Sequence, residues 1–201
     1  MSARGPRSTV RALLVALAAP LAAQLAAAPS SLGPDALDAL MHELAARPSG
    51  HVTFTEVQHL AVLDRPLESS GELLYEAPDR LEKRTLSPRP ETLVLAHGTL
   101  SATRGKRTRT LDLAAYPQLA PLVEGLRATL AGDRAALERL FSVRLDQDLL
   151  RWTLALAPRD AASARLVREV RISGEQADVK TVEVLQADGD RSLLTIGREL
   201  P

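Results

Sequence analysis

Between Gly71 and Gly98, apolar and polar residues alternate, and prolines interrupt the runs at Ala77-Pro78 and again at Pro88-Arg89-Pro90. That period of two predicts three successive antiparallel strands, each with one dry and one wet face, and puts Gly71, Leu73 and Tyr75 on one side. The same alternation begins at Gly50, with Val52 and Phe54 pointing opposite to Thr53 and Thr55. It recurs from Leu67 to Tyr75, Leu81 to Thr85, Thr92 to His97 and Arg107 to Leu113, with turns at Asp64-Arg65-Pro66, Gly98 and Gly105, for about six strands in this half. A second set follows, from Val143 to Asp146, Leu150 to Ala157, Leu166 to Ser173, Val179 to Gln186 and Arg191 to Gly197. In it Trp152, Leu154 and Leu156 share a face, and Asp188-Gly189 is a preferred two-residue hairpin turn.

The period changes to that of a helix in two places. From Pro34 to Arg47, Leu37, Leu40, Met41 and Leu44 fall at helical spacing, with Pro34 suited to the first turn and Pro48-Ser49-Gly50 as the stop. Between the strand sets, Pro117 to Leu130 places Leu119, Leu122, Leu126 and Leu130 on one stripe, and Asp133 can cap a short helix carrying Leu137, Leu140 and Phe141. Helices this short are marginal alone and must dock by their apolar faces. The chain therefore reads as mainly β (α+β), about eleven antiparallel strands in one curved sheet with a lid of about three α-helices.

Composition adds an address more than a chemistry. The 201 residues are 45% hydrophobic, and 25 basic residues balance 25 acidic ones at a pI near 6.9, so electrostatics gives no reason to expect nucleic acid as a partner. Arg4, Arg7 and Arg11, the apolar run Ala12 to Leu25 and the small residues Ala26-Ala27-Ala28 read as a cleaved signal peptide over residues 1–28, followed by one domain over residues 29–201. The chain has no cysteine. Export without disulfides or a cysteine to lipidate fits a soluble periplasmic protein. Enzyme motifs are missing: there is no Gly-rich phosphate loop, no G-x-S-x-G and no H-E-x-x-H. His51 and His59 lie about 26 Å apart on one extended strand, too far to share a metal, and no catalytic residue, metal or cofactor is expected. The basic run Arg104 to Arg109 reads as a solvated hairpin edge around Gly105, since charge commonly protects an exposed strand edge.

In order along the chain, Phe54-Thr55-Glu56, Gly71-Glu72-Leu73-Leu74-Tyr75, Pro78-Asp79-Arg80-Leu81 and Glu91-Thr92-Leu93-Val94-Leu95-Ala96-His97-Gly98 follow an N-terminal helix. This succession resembles the periplasmic outer-membrane lipoprotein carriers of the LolA type, as a divergent member, loosely over Leu37 to Ile196. The resemblance implies an incomplete antiparallel β-barrel under a helical lid, with an apolar cavity shielding the acyl chains of a lipid-modified client. On the carrier reading the cavity wall is Phe54, Leu73, Tyr75, Leu93, Leu95, Trp152, Leu154 and Leu156, and the lid bears Leu37, Leu40, Met41, Leu122, Leu126 and Phe141; a continuous apolar space between Trp152 and the lid would support a carrier, and a filled interior would point to an interaction domain. The partners implied are acylated lipoprotein or lipid cargo, an inner-membrane donor and an outer-membrane acceptor, with the carrier a monomer. The family's lid-locking arginine precedes the proline, where this chain has Ala77. Other uses of the same fold are an envelope sensor domain and a carrier of another acylated or polyene lipid.

Overall fold

In the computed structural model the described residues are 34–116 and 120–201. The expected signal peptide and Leu119 lie outside them. Helix α1 (Pro34–Ala45) leads into six strands: β1 (Ser49–His59), β2 (Leu67–Glu76), β3 (Arg80–Ser87), β4 (Glu91–Ala96), β5 (Thr99–Arg104) and β6 (Arg107–Asp112). A short 3₁₀ turn (Leu113–Ala115) precedes α2 (Ala120–Leu130) and α3 (Arg134–Leu140). Then come β7 (Phe141–Asp148), β8 (Arg151–Pro158), a single turn of helix α4 (Ala161–Ala164), β9 (Val167–Glu175), β10 (Asp178–Gln186) and β11 (Arg191–Glu199).

The eleven strands form one antiparallel sheet in the order β6-β5-β4-β3-β2-β1-β11-β10-β9-β8-β7. Each neighbouring pair is consecutive in the chain except β1 with β11, which joins the two meanders along the middle of the sheet, pairing Phe54 with Ile196 and Glu56 with Leu194. Strands β6 and β7 are unpaired at the two edges, so the barrel is incomplete, as expected. Strand β6 is largely exposed, in keeping with a charged, solvated edge.

The helices cross from one edge strand to the other, and they do not cover the inner face evenly. Asp133 caps α3 by accepting from the Ala136 amide at 3.0 Å. The helix then runs without a loop into β7: Phe141 is both the C-cap of α3 and the first residue of that strand. This direct junction ties the helical layer to the β7 side. Leu37, Leu40, Met41 and Leu44 of α1, with Ala128, Ala136 and Leu137 of α2 and α3, pack into one core with Phe141, Leu145, Trp152, Leu154, Leu156 and Ile172. Close approach is built in at two glycines: a Cβ on Gly125 would sit 2.6 Å from the Phe141 ring, and one on Gly174 would sit 2.4 Å from the Trp152 indole. The Trp152 Nε1–H is satisfied by the Gln176 carbonyl at 2.7 Å.

An apolar cavity beside the packed core

On the other half of the inner face the helices leave room. Registers across β2 to β5 put Tyr75 beside Leu81, Leu81 beside Leu95 and Leu95 beside Leu100, while a second row runs Leu73, Lys83, Leu93 and Ala102. These leucines are mostly half-buried rather than sealed. They form one wall of a cavity of about 590 Å³, within the roughly 300–1,000 Å³ usual for small-molecule sites. Val123, Leu126 and Leu130 of α2 form the roof, and Val182, Leu194 and Ile196 of β10 and β11 continue the wall towards the packed core. A second space of about 440 Å³ lies past α2, and Leu95 and Val123 line both.

The residues expected to line a cavity divide into two groups. Leu73, Tyr75, Leu93 and Leu95 line it, and Leu126 of the expected lid faces it. Trp152, Leu154 and Leu156 do not: they are 3%, 0% and 1% exposed and lie in the core under α1 to α3. The interior between Trp152 and the lid is filled, because the α3–β7 junction holds the helices against β7, β8 and β9, and the open space lies instead against β2 to β5. Leu37, Leu40 and Met41 belong to the same core, with Leu122 packed against it. Phe141 opens β7 instead of belonging to a helix, and its ring carries the close contact with α2.

Phe54 marks a polar end to this inner face. Its ring is 2% exposed, and Lys83 Nζ lies 5.0 Å from its centroid, a cation–π contact. The same ammonium donates to Glu56 Oε2 at 2.5 Å, while Ser192 Oγ donates to Glu56 Oε1 at 2.7 Å and Ser69 Oγ donates to Oε2 at 3.2 Å. Burial alone would raise the Glu56 carboxyl. Hydrogen bonds from Lys83, Ser192 and Gln58 and the Lys83 charge outweigh it and hold the group below the ordinary carboxylate range. This cluster was not anticipated from sequence, although Glu56 and Lys83 occupy the inward phase of their strands, where an apolar residue is the norm.

Arg127 ties α2 to the sheet. Its guanidinium donates to Glu124 at 2.5 Å, to Asp133 at 3.4 Å and across to the Pro78 carbonyl in the β2–β3 turn at 3.3 Å. Hydrogen bonding to Glu124 raises its pKa further above the arginine range, with Asp133 adding to the effect. The side chain at Ala77 cannot make such a bond, so here the link comes from the helix side. At the cavity rim Asp178 accepts from Arg47 at 2.5 Å and Lys180 at 3.0 Å. Among the described residues no group of His, Asp or Glu is placed to hold a metal ion, and no helix is long and apolar enough to cross a membrane.

A family model described as outer membrane lipoprotein carrier protein LolA-like matches residues 26–197. No curated protein matches the chain in sequence. Among solved structures, a LolA superfamily protein from Nitrosomonas europaea is 12% identical, with 81% of this chain and 93% of that chain covered and a TM-score of 0.40. The Pseudomonas aeruginosa MucA/MucB complex contains a chain 14% identical, with 82% of this chain and 56% of that one covered, at a TM-score of 0.47. LprF from Mycobacterium bovis is 12% identical over 84% of this chain and 94% of its own, with a TM-score of 0.35.

Proposed function

We propose that this chain, which belongs to the family of LolA-like outer membrane lipoprotein carrier proteins, is a periplasmic carrier that shields the acyl chains of a lipid-modified client or a related lipid in its apolar cavity. The observation that carries the reading is the half-covered inner face. One half of the sheet is packed like any core, and the other keeps a leucine-lined space of about 590 Å³ under α2 and the C-terminal end of α1. A binding domain with no small ligand would be expected to fill both halves, because an unfilled apolar cavity costs stability.

The physical problem suits such a site. An acyl chain of about 14 methylenes carries a cost of about 11 kcal/mol in water, at roughly 0.8 kcal/mol per CH₂, so unaided passage through an aqueous compartment is prohibitive. A carrier needs matching apolar area and a cover that can yield; it needs no reacting group. Leu73, Leu93, Leu95 and Leu126 supply the area, and α2 supplies the cover. The signal peptide read over residues 1–28 supplies the address, with residues 29–201 as the mature carrier. An inner-membrane donor and an outer-membrane acceptor complete the route.

The test is extraction from a bilayer. Proteoliposomes bearing a diacylated lipoprotein are mixed with the purified mature chain, and vesicles are removed by flotation. A soluble complex of the two proteins is expected, whereas a non-acylated form of the client should stay unbound. Lipoprotein that floats entirely with the vesicles at saturating carrier, and that also forms no complex when delivered from detergent micelles in place of the donor, would refute the reading.

A further inference from the structure

Among the described residues, the cavity lining contains one buried side-chain polar atom without a hydrogen-bond partner. Tyr75, on β2 between Gly50 of β1 and Leu81 of β3, lines the cavity, and its hydroxyl is shielded from solvent with no hydrogen-bond partner among the described residues. Buried hydroxyls are almost always bonded, so an orphan on a side chain that lines a ligand-sized space calls for an explanation. The polar groups within this cavity and the adjoining space are committed, while Ser49, Arg198 and Glu199 of the lining are exposed to solvent. Lys83 is held by Glu56, Thr129 donates to the Gly125 carbonyl at 2.8 Å, and Arg127 is bound to Glu124, Asp133 and the Pro78 carbonyl. Tyr75 therefore carries an unused O–H on a side chain that shares the cavity lining with Leu81, Leu93, Leu95 and Leu126.

Resting on the carrier reading above, we propose that on binding Tyr75 turns its shielded hydroxyl to the cavity and donates a hydrogen bond to the ester or amide carbonyl of the bound acyl chain. Such a chain has apolar length to fill the leucine wall and, at its linkage, an acceptor oxygen with no competing donor at an ester. A hydrocarbon fills the same wall but leaves the hydroxyl as it was. The cavity thus distinguishes acyl lipids from plain hydrocarbons at one atom. The same carbonyl occurs in free glycerolipids and in protein-borne acyl groups, and the two sources are separated by competition.

The experiment compares the mature chain with Tyr75→Phe against two fluorescent probes of equal length, a pyrenyl-alkyl methyl ester and the corresponding pyrenyl alkane. The unaltered protein is expected to favour the ester, and Tyr75→Phe to weaken ester binding about 3- to 10-fold, the size of one neutral hydrogen bond. Alkane binding should change by less than about 2-fold, because no bond is made or lost there. Removing an unpartnered hydroxyl should also leave the melting temperature of the free protein unchanged or higher. Equal effects on both probes, no effect on the ester, or a clear drop in thermal stability would overturn the assignment. Binding of neither probe to the unaltered protein would instead sink the carrier reading and this inference together. Displacement of the ester probe by a diacylglycerol points to free lipid, and displacement by a diacylated cysteine lipopeptide points to protein-borne acyl groups. Either supports the proposal, and displacement by neither contradicts it.

Discussion

Replacing Leu93 with tryptophan separates a true cavity from a loosely drawn core. Leu93 lies on β4, half-buried, between Lys83 of β3 and the small Ala102 of β5, and its side chain faces the cavity. In a packed interior, such a small-to-large change costs about 1–3 kcal/mol through forced rotamers and backbone shifts. Here the indole has a 590 Å³ space to enter. It should leave stability unchanged or raise it by about 0.5–2 kcal/mol, the usual yield of cavity filling. For a domain of this size that corresponds to a rise of up to roughly 4–8 °C in melting temperature, at about 2–4 °C per kcal/mol. Ligand binding should move the other way. An indole that excludes about four methylenes of an acyl chain removes about 3 kcal/mol of transfer free energy, more than 100-fold in Kd. Urea denaturation gives the first quantity and titration with a pyrene-labelled fatty acid the second. Destabilisation by 1 kcal/mol or more, or acyl binding equal to that of the unaltered chain, would refute the reasoning.

Other substitutions address the parts that hold the cavity open. Gly125→Val drives a side chain into the Phe141 ring 2.6 Å away, and should cost about 1–3 kcal/mol in urea denaturation by overpacking. Lys83→Met strands the Glu56 carboxylate; with Lys83 partly solvated, the expected loss is on the order of 2 kcal/mol at neutral pH. Because Glu56 is held below its ordinary value in the folded protein, its contribution is present above the ordinary carboxylate range and is lost as pH falls through the lowered value. The gap between Lys83→Met and the unaltered chain should therefore close in acid, and a gap independent of pH in parallel urea melts would contradict the pairing. Arg127→Ala removes the α2 links to Glu124, Asp133 and Pro78, and should speed amide hydrogen exchange across residues 120–130 at least several-fold while β8 and β9 stay protected. Trp152, the single tryptophan of the chain, is buried in the core away from the cavity, so its emission should change little when a non-quenching acyl ligand binds.

Strand periodicity carried most of the architecture because in a one-sheet fold every strand has an inner and an outer face. The alternation of Leu73 with Tyr75, and of Leu93 with Leu95, marks the inner face correctly, and Asp133 was legible as a helix cap. Periodicity does not say what lies against that face. Trp152, Leu154 and Leu156 point inward on the same grounds as Leu73, yet they are sealed under helices while Leu73 lines open space. The deciding feature is the junction at Phe141, a residue that continues the apolar stripe of α3 from Leu137 and equally begins β7. A helix stripe and a strand start overlap there, and the overlap fixes the helical layer over β7 to β9. Helix α4 escaped notice for a different reason: at four residues it has no period, and its one signal is the cap in which Asp160 accepts from the Ser163 amide at 2.8 Å.

A carrier of this design must hold acyl chains in the space between β2 to β5 and α2. Native mass spectrometry of the chain recovered from the periplasm, with Leu93→Trp prepared in parallel, tests this most directly. A mass increment that fragments to fatty-acyl products, present on the unaltered protein and lost from Leu93→Trp, is the predicted result. Protein repeatedly free of any acylated adduct, and unable to take up an acyl probe when one is supplied, would contradict it.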